Sequence, residues 1–394
     1  MNDKTKQFIS KHENDDLFTL KLHHKINQEV DIDVAIRQIT GRQKIKLKVP
    51  LFYNTEGILY PVQLSLEQSS SESTAKYKSS LCEGDTLVDL TGGFGVDCCF
   101  MSERFNQVVY VERHAELCEL AAHNFNTLNK KQIRVIHSET EKYLSEMKPV
   151  DWIFIDPARR GTSGNKVVLL SDCEPDVSAL STLLLEKATQ VMIKLSPMMD
   201  ITAALKNLPQ TSEIHIISVE NECKEVLLIL SPHIPTNIKI KTINLGKKNQ
   251  HQIFDFQHED EHMADASCSS KIEKYLYEPN AAIMKSGAFK LVGTRFGLQK
   301  LHINTHLYTS TELIPDFPGR IFQVDKVWAT SKKELKEQLK RVPKANISTR
   351  NYPLTVDELR NKLKIKDGGE VYLFACTVDD DHKVIIECQK VPYK

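Results

Sequence analysis

From residue 86 to residue 230, short apolar runs rich in Val, Ile and Leu alternate with stretches whose apolar residues recur at helical spacing. Seven runs read as strands: 86–90, 107–111, 133–137, 152–155, 190–195, 214–219 and 225–230. Helices are expected at 96–104, 115–128, 139–147, 176–189 and 201–208. Apolar, β-branched strands regularly separated by amphipathic helices predict a parallel sheet covered on both faces. Only residues 220–224 separate the last two strands, so these are expected as a hairpin that makes one edge antiparallel. Ahead of this region, residues 1–80 are polar and mostly helical in pattern, with Pro50 closing a basic segment that holds Arg42, Lys44, Lys46 and Lys48. Residues 68–78 read as a helix capped by Ser71 or Ser73. Beyond residue 230, Pro232, Pro235 and the polar stretch 258–270 read as linker or long loop. A new unit begins near Lys271, and from about 318 a small α/β unit is expected, with strands at 320–327 and 371–377 and helices at 332–339 and 356–363.

The first strand runs into Leu87-Val-Asp-Leu-Thr-Gly-Gly-Phe-Gly-Val-Asp97. Gly92, Gly93 and Gly95 let backbone amides approach a ligand, because no β-carbon intervenes. The helix that follows adds a partial positive field. A dinucleotide fingerprint would need a third small residue where Cys98 stands. An acid at the strand end followed by T-G-G-x-G suits S-adenosylmethionine better. Asp89 can pair with its methionyl ammonium, and Thr91, Gly93, Phe94 and Gly95 would line the cofactor. An ordinary tight strand-to-helix turn is the plain alternative.

The other strand ends carry the remaining chemistry. Glu112, closing the second strand, can accept both ribose hydroxyls. Ser138, after the third, reads as an adenine-edge contact, or as the N-cap of a capping box with Glu141. Asp156-Pro157 follows the fourth, where a parallel sheet binds its ligands. A carboxylate beside carbonyls freed by proline can hold an amine with its lone pair toward a methyl group. Arg159 is a candidate for phosphate or a base edge. The fifth strand ends at Lys194-Leu195-Ser196 with no cysteine, which disfavours carbon methylation of a pyrimidine through a covalent adduct. Methylation of a nitrogen needs only alignment and proton removal.

The 394 residues carry zero formal net charge, so no global field draws nucleic acid. A local excess does exist: Lys332, Lys333, Lys336, Lys340, Arg341, Lys344, Arg350, Arg360, Lys362, Lys364 and Lys366. It suggests an RNA-facing module, or else a solvated lysine-rich face. No run is apolar enough to span a bilayer, and the first residues lack a signal core. The nine cysteines have no CxxC spacing. No metal site and no membrane are therefore expected, and a cytoplasmic location is.

On Asp89–Asp97 and Asp-Pro-Ala-Arg-Arg-Gly (156–161) the chain resembles class I S-adenosylmethionine-dependent methyltransferases. It is most similar to a bacterial family with ferredoxin-like and THUMP-like C-terminal domains. Residues 66–72 (Leu-Glu-Gln-Ser-Ser-Ser-Glu), 278–282 (Glu-Pro-Asn-Ala-Ala) and 347–354 (Ile-Ser-Thr-Arg-Asn-Tyr-Pro-Leu), with Asp367–Glu370, carry that likeness. The resemblance implies an α/β fold, a seven-stranded Rossmann-like sheet with an N-terminal helical region and small α+β C-terminal domains. It divides the chain into 1–80 (helical), 81–250 (methyltransferase), 271–317 (ferredoxin-like) and 318–394 (THUMP-like). It places Asp89, Gly93, Gly95 and Glu112 at the cofactor and Asp156 and Pro157 at the methyl acceptor, and lets Gln68 and Ser70 close over the cofactor. The implied activity is methylation of RNA, tRNA or rRNA, at a base nitrogen such as guanine's. A protein or small-molecule methyltransferase, or a non-catalytic RNA-binding protein that keeps the cofactor pocket, is the alternative.

Overall fold

The computed structural model describes residues 2–17, 20, 29–159, 170–247, 250–265, 267–269, 271–328, 338, 341–378 and 381–392. The expected helix 332–339 lies, but for residue 338, outside the described residues. The chain forms two compact units: residues 1–213 with 225–235, and residues 214–224 with 236–394. The expected boundary near residue 80 therefore does not separate compact bodies. Among the described residues, no helix is long and apolar enough to cross a membrane.

In the first unit the strands are β1 (Gly84–Asp89), β2 (Phe105–Glu112), β3 (Ile133–His137), β4 (Val150–Ile155), the short β5 (Ala158–Arg159) and β6 (Cys173–Glu174), and β7 (Ala188–Leu195). Strands β8 (Thr211–Val219) and β9 (Glu222–Leu230) begin in one unit and end in the other. The seven expected strands all form, each within three residues of its expected limits. The order β9-β7-β4-β1-β2-β3 is parallel from β7 to β3, while β9 runs antiparallel to β7. Val88, Val111, Ile153, Ile155, Val191 and Ile193 are all buried, as strands covered on both faces require. The two residues between β8 and β9, Glu220 and Asn221, both have positive φ, the geometry of a tight hairpin turn.

The N-terminal helices belong to this unit. Ser71 caps the helix Glu72–Ser79, accepting from the Thr74 amide, as expected. Ile9, Leu20, Ala35 and Ile39 form a small core, and Gln38 exchanges two hydrogen bonds with the backbone of Tyr60 at 2.9 and 3.0 Å.

The second unit departs from the expected linker. β10 (Lys239–Leu245) and β11 (His251–Gln257) form an antiparallel pair, with the order β11-β10-β8, so the pair crosses the anticipated limit at residue 250. The remaining strands are β12 (Tyr275–Pro279), β13 (Gln299–His302), β14 (Thr305–Ser310), β15 (Gly319–Trp328), β16 (Lys344–Arg350), β17 (Lys366–Thr377) and β18 (Lys383–Lys390). They make one sheet in the order β13-β14-β12-β15-β18-β17-β16. Within β17, Leu373 and Ala375 enter one core while Phe374 and Cys376 enter another, so both faces are covered and the strand is continuously apolar. The expected helix Val356–Leu363 crosses between β16 and β17 and begins at a capping box of Thr355 and Glu358. The boundary expected at 317/318 runs through this sheet, because β12 pairs with β15.

Glu278 on β12 is buried, its side chain 3% exposed, and receives Arg320 from β15 and Arg350 from β16. The Arg350 contact is 2.6 Å. Removing a buried carboxylate that two guanidiniums face leaves both without their partner, a loss of about 3 kcal/mol for such pairs. Glu278→Ala is therefore expected to lower the urea midpoint of the second unit. It is to be read in a Trp152→Phe background, where fluorescence reports only the buried Trp328.

Candidate functional site

Strand β1 lies between β2 and β4, so the order reverses at β1/β4. In an open α/β sheet that reversal opens a crevice at the carboxyl ends of the strands. Asp89 and Asp156 stand at those two ends.

The glycine turn is shaped by packing from below. A β-carbon on Gly92 would lie 2.1 Å from the Tyr110 ring, and the Tyr110 hydroxyl donates to the Gly93 carbonyl at 2.6 Å. Gly95 sits at φ +82°, where an L side chain is strained. Above Gly93 a β-carbon would meet nothing nearer than the Thr91 carbonyl at 3.9 Å, so the turn is open on that side. The helix after it, Val96–Met101, is shorter than expected and tightens into a 3-10 turn at Ser102–Arg104. Phe94 is 3% exposed and packs on Phe52 and Tyr60, which ties the turn to the N-terminal helices.

Four carboxylates, Asp89, Asp97, Glu112 and Asp156, lie about this turn. Asp89 is buried and accepts from the Thr91 amide at 3.0 Å. Burial, and then the nearby carboxylates of Asp97, Asp156 and Glu112, hold its proton affinity well above that of an ordinary aspartate. Glu112 accepts from the Gly93 amide and the His114 amide, each at 2.9 Å, which fixes both oxygens while lone pairs remain for further donors. Thr91 locks the third end, its hydroxyl accepting from the Asp156 amide at 2.6 Å.

Asp156 belongs to a chain of alternating charges. Its Oδ2 lies 2.5 Å from Lys194 Nζ on β7. Lys194 also lies 3.8 Å from Asp97 Oδ2, and Lys78 Nζ lies 3.1 Å from Asp97 Oδ1. Lys78, with no exposed side-chain surface, pairs at its other side with Glu225 of β9. Ser70 donates to Asp97 at 2.6 Å and accepts from Lys78 at 3.0 Å. Burial pushes the Asp97 carboxyl up, but Lys78 and then Lys194 outweigh it and hold the group below its ordinary value. Burial likewise raises Asp156, against the pull of Lys194.

The expected residues are thus distributed unequally. Asp89, Thr91, Gly93, Glu112 and Asp156 converge at the strand ends. Pro157 is buried beside Asp156. Ser70 is committed to the charge chain, and Gln68 is exposed at the end of the helix Gln63–Gln68. Ser138 follows β3, but it forms no capping box with Glu141. The helix starts at Thr140 with Glu139 as its N-cap, and the Ser138 hydroxyl donates to the Glu139 carbonyl. The Arg159 backbone pairs with Cys173, whereas its side chain and residues 160–169 lie outside the described residues. Lys78, Asp97, Lys194 and Glu225 escaped the sequence reading. Their one signal is an ionisable residue inside an apolar run, as in Gln-Val-Met-Ile-Lys-Leu and Lys-Glu-Val-Leu-Leu.

Of the expected basic cluster, Arg350 is turned inward to Glu278 and Arg360 pairs with the exposed Asp367. Arg341, Lys344, Lys362, Lys364 and Lys366 are exposed, and Lys332, Lys333, Lys336 and Lys340 lie outside the described residues. Lys344 and Lys366 are cross-strand partners on the outermost strand pair of their sheet.

Compared with known proteins, the chain matches a crystal structure of a candidate methyltransferase from Porphyromonas gingivalis W83. The two are 35% identical with a TM-score of 0.89, and the match covers 100% of each chain. An uncharacterised S-adenosylmethionine-dependent methyltransferase of Mycobacterium tuberculosis H37Rv is 23% identical over 308 residues, 77% of this chain and 80% of that one. An uncharacterised RNA methyltransferase of Mycoplasma mobile is 30% identical over 149 residues, 35% of this chain and 39% of that one. Family models for a ferredoxin-like domain and a THUMP-like domain match residues 275–318 and 319–390.

Lys78→Met strips a buried cation from between Asp97 and Glu225. Breaking a buried pair at one end costs about 3–5 kcal/mol. The expected result is a large fall in the urea midpoint of the first unit, partly recovered when Glu225→Gln is added.

Proposed function

The chain belongs to the S-adenosylmethionine-dependent methyltransferases, and from that premise we propose that it methylates structured RNA, tRNA or rRNA, at a base nitrogen such as guanine's. The observation that carries the RNA reading is the exposed pair Lys344 and Lys366, in register on neighbouring strands within the THUMP-like domain, where phosphate would neutralise both. The RNA methyltransferase named among the relatives supports the same substrate class.

The site fits the cofactor. Asp89 is a buried carboxyl whose charge needs a cation, Glu112 presents two fixed oxygens to a diol, and the face over Gly93 is open. When bound, S-adenosylmethionine supplies an electrophilic methyl group and leaves as a neutral thioether. Asp156 and the carbonyls next to Pro157 would hold the acceptor N–H groups, so that the nitrogen lone pair points at the methyl carbon. Asp156 then takes the single proton that the methylated nitrogen releases. No thiol is needed as nucleophile, in keeping with Leu195-Ser196 at the end of β7.

Incubation with radiolabelled cofactor and unmodified total RNA, followed by nucleoside analysis, is expected to place label in a methylguanosine. Label in methyluridine, or in protein alone, would sink the proposal. Replacing Lys344 and Lys366 by Ala is expected to weaken RNA binding and lower the slope of log affinity against log salt by about 2.

Cofactor affinity should also depend on pH. An ammonium paired with Asp89 favours the carboxylate, so below the raised pKa of Asp89 binding must expel a proton. Affinity is therefore full above the raised pKa of Asp89 and falls about tenfold per pH unit below it. Equilibrium dialysis across pH, with Asp89→Asn as the flat-profile control, checks the sign.

A further inference from the structure

Lys194 stands in the middle of the sheet, on β7 between β4 and β9, with its side chain 11% exposed. An ammonium there is costly to desolvate, and an apolar residue of similar length would suit the strand better. Fold stability alone does not call for a lysine. Its geometry does connect it to Asp156, at 2.5 Å, on the residue whose side chain is the most open of the charge chain, 35% exposed. The other members, Asp97, Lys78 and Glu225, are 10%, 0% and 4% exposed. The series Glu225–Lys78–Asp97–Lys194–Asp156 is thus buried at one end and reaches the strand-end crevice at the other.

We propose that Lys194 is the positioning residue of the methyl transfer: it fixes the Asp156 carboxylate in place and keeps it ionised to receive the acceptor proton. This rests on the reading of Asp156 as the group that faces the methyl acceptor. Lys194 leaves one oxygen, Oδ1, outside its contact, and that oxygen is the one available to an N–H group. Asp97 keeps Lys194 from swinging away, and Lys78 with Ser70 keeps Asp97 in place. The charges that face Asp156 are Lys194 from β7, Asp97 from the helix Val96–Met101, Lys78 from the helix Glu72–Ser79 and Asp89 from β1. Lys194 is the nearest cation among them and offsets the burial that works against ionisation.

Two readouts test this, and the first needs no RNA. In protein labelled with carbon-13 at aspartate carboxyls, with Asp156→Asn identifying the resonance, Asp156 is expected to bind its proton at least about tenfold more tightly in Lys194→Met than in the parent chain. Lys194→Arg, which keeps the charge, should restore the parent value. An Asp156 titration that does not move in folded Lys194→Met overturns the proposal, whatever the methyl acceptor proves to be. If Lys194→Met fails to fold, the comparison passes to Lys194→Gln and Lys194→Arg. The second readout is the pH profile of methylation. Its acidic limb should move upward in the charge-free variants by the amount that the titration moves, with cofactor affinity unchanged. A uniform loss at every pH would mark Lys194 as merely structural. A shifted titration without any RNA methylation would sink the RNA substrate and leave the role of Lys194 standing.

Discussion

Two lysines, one fully buried and one nearly so, govern the first unit. Lys78 and Lys194 could not remain charged inside an apolar sheet unless carboxylates met them on both sides, and Glu225, Asp97 and Asp156 do so. The alternation draws together pieces distant in sequence: the helix that precedes β1, the helix that follows the glycine turn, and strands β4, β7 and β9. Hydrophobic contact is tolerant of small slips, whereas paired charges at 2.5–3.1 Å are not. The site inherits its precision from that chain.

The glycine turn obeys a second constraint, steric in origin. Tyr110 fills the space below Gly92, and its hydroxyl holds the Gly93 carbonyl, so the backbone is pressed toward the crevice side. Phe94 then anchors the turn between Phe52 and Tyr60. The N-terminal helical region therefore supports the floor of the glycine turn.

The alternating core of the first unit was legible because strands covered on both faces need unbroken apolar runs, and 152–155 and 226–230 supply them. The carboxylates at strand ends were legible for a similar reason, since a parallel sheet presents its ligands there. The ion chain was not. Lys194 and Glu225 each look like a polar member of a strand, and their pairing depends on contacts across as many as 147 residues. The strands β10 and β11 were hidden by the prolines at 232 and 235, although Phe254 and Phe256 alternate as a half-buried strand should. The Ser138 capping box failed because a residue pattern does not fix where a helix begins, and here the Thr140 hydroxyl turns instead to the Leu90 carbonyl.

The sheet of the second unit runs through the border between the ferredoxin-like and THUMP-like sequences, with β12 and β15 zipped together and Glu278 clasped from beyond the border. Each half, cut away, would present a long unpaired strand edge, the template on which chains aggregate. The two names thus describe parts of one continuous sheet. Separating them would open the β12–β15 seam and leave the buried Glu278 carboxylate without its arginines.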